Sequence, residues 1–284
     1  MNEHYLRADL AEETQLEGLF NWAEEVAGSA APEDVYRNKE GRKTLRFERN
    51  GKSYFLKLHS GVGWSEILKN LLQLRLPVLG ASNGYRAVSD LRDIGVDTMS
   101  VAAYASEGVN PATLHSLIVT DDLVGTISLE DYCADWAEHP PAVAVRLRII
   151  KKLADSAASM HRAGINHRDF YLCHFHLDPQ SLGDTDIRCY LIDLHRAQIR
   201  DKTPRRWRVK DLAGLYFSAM DSGLSSRDVL RFMHHYCPGG LREALGPQAA
   251  LWRDVELRAA KLYQKEHGRQ PPPLKQGIPG GASR

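Results

Sequence analysis

The sequence predicts an α+β protein in two lobes, a small strand-rich one followed by a larger helical one, with the active site in the cleft between them. Three observations carry this. Apolar and polar residues alternate in short runs through the first half, at Thr44–Glu48 and Ser53–Leu58, with further strand-like runs at Val101–Tyr104 and Ser116–Thr120. Apolar residues recur at three- and four-residue steps in the second half, as Leu147, Ile150, Leu153, Ala157 and Met160 do. Past the boundary near Asp121-Asp122, two aspartates stand 24 residues apart, Asp169 in His167-Arg168-Asp169 and Asp193 in Ile192-Asp193-Leu194.

Residues 9–28 read as an amphipathic helix through Leu10, Leu16, Phe20, Trp22 and Val26. Asn50-Gly51 is a tight-turn dipeptide between two alternating runs, so 44–58 is a hairpin. A helix is expected over Glu66–Leu74, ended by Pro77, and another over Tyr85–Ile94, stopped by Gly95. Ser128-Leu129-Glu130-Asp131 has capping-box spacing. A long helix follows over 142–163, then a helix from Asp211 through Met220, and others over 225–236 and 248–266. The expected organisation is an N-terminal helical extension over 1–32, an N-lobe over 33–121, a C-lobe over 122–267 and a disordered tail over 268–284, rich in proline and glycine.

The chain has 284 residues, and its 37 basic against 36 acidic residues leave a formal charge of +1, which gives no argument for nucleic acid. Four cysteines without a Cys-x-x-Cys pair fit reduced thiols in a cytosolic enzyme. The first residues form no apolar signal core, and no run is long enough to span a bilayer, which leaves peripheral membrane contact open. Charge is uneven: Arg196, Arg200, Lys202, Arg205, Arg206, Arg208 and Lys210 crowd one segment, either a solvated basic loop or a contact for an anionic partner.

Two aspartates in this order are the acidic parts that phosphoryl transfer needs, one beside the acceptor hydroxyl and one on Mg²⁺. Asp169 takes the first role and Asp193 the second. Lys57, on the polar face of its strand, is placed to hold ATP phosphates. The loop Asn38–Thr44 would cover them, with backbone around Gly41 and charge from Arg42 and Lys43; it lacks a full glycine-rich fingerprint. Asp121-Asp122-Leu123 sits where an inter-lobe hinge belongs, its backbone meeting adenine at Asp121 and Leu123. His174 stands where a catalytic loop usually places an asparagine on the second metal, and imidazole is a poor Mg²⁺ ligand. Asp211 is read as a helix cap that also holds the catalytic-loop backbone.

Several motifs together resemble the lipopolysaccharide core heptose(I) kinase family: Gly164-Ile165-Asn166-His167-Arg168-Asp169, Cys173-His174-Phe175, Ile192-Asp193-Leu194-His195-Arg196-Ala197-Gln198, Lys69-Asn70-Leu71-Leu72, Pro77-Val78-Leu79-Gly80 and Lys210-Asp211-Leu212. The resemblance runs from about 33 to 265. It implies a protein-kinase-like fold, ATP and Mg²⁺, and a glycolipid acceptor at the cytoplasmic face of the inner membrane. It matches Asp169 to the catalytic aspartate, Asp193 to the metal-binding aspartate and Lys57 to the ATP lysine, and it has Cys-His-Phe at Cys173-His174-Phe175, so His174 stays the second candidate on the metal side. Arg196, Arg205 and Arg206 are the expected acceptor contacts. The family pattern has Glu where this chain has Gly84, and Glu66 is the candidate to replace it as the partner of Lys57. A core-assembly pseudokinase, or the same chemistry on another core sugar or a protein hydroxyl, are the alternatives.

Overall fold

The computed structural model describes residues 3–11, 14–39, 41–61, 81–108, 110 and 113–275. The helix expected over Glu66–Leu74, Pro77 and the candidate residue Glu66 lie outside the described residues. The described chain forms two compact units. The first comprises Met1–Asp90, Met99–Val124 and Asp193–Arg196; the second comprises Leu91–Thr98, Gly125–Ile192 and Ala197–Arg284.

The first unit is built on a six-stranded antiparallel sheet. In chain order its strands are β1 (Glu3–Leu6), β2 (Val35–Lys39), β3 (Arg42–Arg49), β4 (Lys52–Ser60), β5 (Val101–Glu107) and β6 (His115–Asp121), and their spatial order is β1-β5-β6-β4-β3-β2. The expected hairpin is β3–β4, closed at Arg49↔Lys52. Asn50 and Gly51 take φ values of 50° and 71°, the pair of left-handed residues that a two-residue hairpin turn demands. Burial alternates along β4: Tyr54, Leu56 and Leu58 are buried while Phe55, Lys57 and His59 are only partly so.

The buried face packs on α2 (Leu19–Ser29), whose Leu19, Trp22, Ala23 and Val26 join Leu45, Tyr54, Leu56, Ala103 and Val119 in one core. The amphipathic stretch expected over 9–28 is thus real in its apolar face, but it is broken into α1 (Ala8–Ala11), a 3₁₀ turn over Leu16–Gly18 and α2. Residues 3–29 are integral to this unit: β1 supplies an edge strand to the sheet, and Arg7 grips Asp121 at 2.6 and 2.8 Å and Asp9 at 2.8 Å. The helix α3 (Ser82–Asp93) follows, with Tyr85 stacked on Tyr104 at 4.2 Å.

The second unit is mainly helical. Ser128 opens α4 (Leu129–Tyr132) by accepting from the Asp131 N–H, as its spacing predicts. The long α5 (Val143–Arg162) and α6 (Arg205–Ala219) lie among α7 (Ser226–Tyr236), α8 (Gly240–Leu245) and α9 (Ala249–His267). Small ladders complete it: β7 (Ile127–Ser128), β9 (Phe175–Leu177) and β10 (Cys189–Leu191) form one, and β8 (Ile165–Asn166) with β11 (Gln198–Ile199) forms the other. The helix expected from Asp211 begins six residues earlier, at Arg205, because Pro204 stands at its N-cap with φ −59° and proline is well tolerated at a helix start. Of the stretch 268–284 expected to be disordered, residues 268–275 are placed: the Lys275 N–H donates to the Leu224 carbonyl at 2.8 Å. Among the described residues no helix is long and apolar enough to cross a membrane.

A buried ion pair ties α5 to α7. Asp228 is the capping-box residue of α7, accepting from the backbone and hydroxyl of Ser225 at 2.9 and 2.7 Å and from Arg146 at 2.9 and 3.1 Å. Burial alone would raise the Asp228 pKa; the Ser225 and Arg146 hydrogen bonds outweigh it and hold the carboxyl below its usual range. Their side chains are 12% and 5% exposed, so removing Arg146 would strand a buried carboxylate. Arg146→Ala is expected to cost about 3–5 kcal/mol and lower the melting temperature by roughly 10 °C, checked by thermal unfolding.

Candidate active site

The helical unit carries the loop of the expected catalytic residue Asp169, and its geometry starts at Gly164. This residue has φ +80°, and a Cβ there would lie 1.6 Å from the Arg200 carbonyl oxygen, so only glycine fits where α5 turns into β8. Arg168, two residues past β8, also takes a left-handed φ, 78°. That costly conformation is held by Asp211, which is 0% exposed. One Asp211 oxygen accepts the His167 N–H at 2.7 Å, and the other accepts the Arg168 N–H at 2.9 Å. Asp211 is therefore not a cap. It is the seventh residue of α6, and its role is the second of the two expected ones, to hold the loop backbone. His161 stands 3.4 Å from it and shares its other ring nitrogen with the Tyr236 hydroxyl at 2.9 Å.

His167 is buried beneath the loop. Its Nε2–H donates to the Ile192 carbonyl at 2.8 Å, and its Nδ1 accepts the Asp169 N–H at 3.3 Å, which fixes a neutral tautomer. His174, expected beside a metal, donates Nδ1–H to the Asp169 carbonyl at 2.6 Å. Both backbone polar groups of Asp169 are thus held by imidazoles.

In the first unit, cross-strand register decides what stands with Lys57. Thr44 pairs with Lys57 and Arg37 with Thr44, so Arg37, Thr44 and Lys57 share one row and one face. Arg42 pairs with His59, two residues along on the same face. Burial and then the charges of Arg42, Lys57, His195 and Arg37 push the His59 imidazole down to about 4. This face is a field of positive charge suited to phosphate. Sequence reading missed Arg37 and His59, although the two-residue period from Lys57 pointed to His59.

Lys43 does not belong to that field. It pairs with Leu58 on the core face, and its Nζ donates to the Ala27 carbonyl near the end of α2. Its expected phosphate role is corrected by the register. Gly41 does need to be glycine: with φ +68°, a Cβ would lie 2.3 Å from the Gly61 oxygen. Asp193 belongs to this unit, in the left-handed region with φ 61° and 2.5 Å from His195 Nδ1. A Cβ on Gly84 would meet only the His195 Cα at 3.9 Å, so the glutamate of the family pattern would find room.

At the end of β6, the side chains of Asp121 and Asp122 are both engaged. Asp121 holds Arg7, and Asp122 accepts from Ser53 at 2.7 Å and Arg46 at 3.1 Å. Leu123 follows them in the same unit. Of the expected acceptor contacts, Arg196 belongs to the first unit. Arg205 and Arg206 open α6, and Arg205 forms an exposed ion pair with Asp254 at 2.6 Å.

The helical unit also encloses an apolar cavity of about 390 Å³, lined by Leu153, Leu215, Phe232, Met233, Trp252 and Val255 among others. Among the described residues, no three His, Cys, Asp or Glu side chains converge as a metal cage. Mg²⁺ does not need one, since a carboxylate such as Asp193 with substrate phosphates and water suffices.

The chain is 52% identical over 233 residues to the lipopolysaccharide core heptose(I) kinase WaaP of Escherichia coli, covering 82% of this chain and 88% of that protein. It is 50% identical over 234 residues to the enzyme of the same name from Pseudomonas aeruginosa, covering 82% and 87%. A solved structure, WaaP in complex with acyl carrier protein, superposes with a TM-score of 0.75 at 41% identity, over 92% of this chain and 99% of that one. The model of the lipopolysaccharide kinase (Kdo/WaaP) family matches residues 27–236, from α2 to the end of α7, and so takes in Lys57, Asp169, Asp193 and Asp211; the chain belongs to that family.

Proposed function

We propose that this chain transfers the γ-phosphoryl group of ATP to a hydroxyl of heptose I in the lipopolysaccharide inner core. The observation that carries this reading is the clamp of Asp211 on His167-Arg168-Asp169, in a chain about half identical to heptose(I) kinases. Asp169 accepts the proton of the attacking hydroxyl, its backbone fixed by His167 and His174. Lys57, Arg37 and Arg42 bind the nucleotide phosphates and offset the charge that grows on them. Backbone groups at Asp121 and Leu123 receive adenine, the side-chain carboxylate of Asp121 being taken up by Arg7 and that of Asp122 by Ser53 and Arg46. Asp193 would hold Mg²⁺, which supplies charge neutralisation between the phosphates. The presence of Lys57, Asp169 and Asp193 together in a chain with Gly84 favours a kinase over a pseudokinase. Work at the cytoplasmic face of the inner membrane follows from the acceptor.

An additional reading concerns a protein partner. The solved relative is a complex with acyl carrier protein, and the apolar cavity of this chain has the size of a ligand pocket. We infer that this chain also engages acyl carrier protein, with the acyl chain in that cavity.

Three outcomes are expected. Asp169→Ala lowers phosphate incorporation into heptose by about a thousandfold or more while the melting temperature holds; near-normal turnover would sink the assignment. His59 contributes stability that is full above pH 6.5, its unfolded value, and is lost as pH falls toward 4. Chemical denaturation at pH 7 and pH 4.5 should therefore show a smaller acid loss in His59→Gln than in the parent. Leu215→Trp, which fills the cavity, is expected to reduce the acyl carrier protein that copurifies at least fivefold, read by mass spectrometry.

A further inference from the structure

The proline-rich stretch beyond α9 is held at both ends and loose between them. Gly268 ends α9 with φ 66°, its N–H donating to the Gln264 carbonyl at 2.9 Å. Arg269 then reaches Asp221 at 3.3 Å and lies 5.2 Å over the ring of Tyr263, whose hydroxyl donates to the same aspartate at 2.7 Å. Six residues on, the Lys275 N–H donates to the Leu224 carbonyl at 2.8 Å, and its Nζ donates to the Ala137 carbonyl. Lys275 also forms a parallel bridge with Ser225. Asp221, Leu224 and Ser225 all belong to the turn between α6 and α7, so both pins sit on that turn.

Between the pins, Gln270, Pro271, Pro272, Pro273 and Leu274 make no hydrogen bond or ion pair among the described residues. The three prolines have no N–H to give a neighbour, and their fixed φ keeps the stretch extended at little entropic cost. The Arg269–Asp221 pin is weak, since both side chains are more than half exposed. Such a segment opens without unfolding the helices beneath it. What it covers is the apolar cavity of the helical unit. Leu224 and Leu274 line that cavity together with residues of α5, α6, α7 and α9, and Leu274 is the lining residue that comes from beyond α9. Leu153, Leu212, Leu215 and Val255 in the same lining are buried, whereas Leu274 is 37% exposed. A side chain that faces both cavity and solvent stands at the mouth.

We propose that Arg269–Lys275 is a displaceable strap over the mouth of this cavity, and that an acyl chain enters and leaves when Lys275 releases the α6–α7 turn. Closed, the strap sets Leu274 across the opening and keeps the cavity from water. Open, it exposes an apolar channel wall for the chain to slide along. The observed association rate is then the rate into the open form multiplied by the fraction of molecules that are open. The proposal rests on the reading of the cavity as an acyl-chain site; it does not need the chain to arrive on acyl carrier protein.

The test follows binding of cis-parinaric acid, a fluorescent fatty acid, to the full chain by stopped flow. Lys275→Pro deletes the backbone donor and the ammonium donor of the end pin together. Its association rate constant should be about five times that of the parent or more, with the melting temperature within about 3 °C. Lys275→Arg keeps an N–H and a cationic donor and should stay within about twofold of the parent. Leu274→Ala leaves both pins and thins the cover, and should raise the rate by about twofold or more; it decides the matter if Lys275→Pro melts early. Leu215→Trp should abolish the signal, which places the probe in the cavity. Binding by Lys275→Pro alone, with none by the parent, upholds the strap. An unchanged association rate makes the segment a fixed wall and overturns it, whatever happens to dissociation. No binding by either protein, or a signal that survives Leu215→Trp, overturns it as well. Should acyl carrier protein fail to copurify while the rates change as stated, the carrier reading fails alone.

Discussion

The helical unit depends on one buried carboxylate. Asp211 is out of water and must find donors, and the nearest two are consecutive backbone N–H groups of the loop at His167 and Arg168. This contact holds Arg168 in a left-handed conformation that a non-glycine residue adopts at a cost. It links α6 to the loop, and through His161 and Tyr236 it links both to α5 and α7. The backbone of Asp169 is held within that chain of contacts by His167 and His174.

The other unit solves a different problem, to gather positive charge on one face of a sheet whose other face is core. Strand period does this cheaply. Every second residue of β4 turns to the core with α2, and the residues between meet Arg37 and Arg42 from the neighbouring strands. Burial first, and then that field, push the His59 imidazole down. Lys43 shows how strict the rule is: one residue from Arg42, it faces α2 and serves the core side.

The basic segment 196–210 joins the two themes. Read as a string of charges it is a solvated loop. Folded, part of it is the first turns of α6, and its cations meet Arg168 and Arg200 on a single tryptophan. Arg205, the neighbour of Arg206, instead reaches Asp254 on α9. Helical geometry separates adjacent residues by roughly 100° and so sends equal charges to different work.

Local chemistry made much of this protein legible in its sequence. The β3–β4 hairpin followed from Asn50-Gly51 between alternating runs, and α4 from the Ser128 cap. These depend on residues within a few positions of one another, or on a pattern of period two or 3.6. What the tertiary structure alone decided depends on partners far apart in the chain: Asp211 as the clamp of the loop rather than a cap, Lys43 turned to the core face, Arg37 and His59 turned to the face of Lys57, and the tail docked as far as Lys275. The physical reason is the same in each case. A side chain's role is set by which backbone groups and charges the fold brings to it, and spacing along one strand or helix does not specify those.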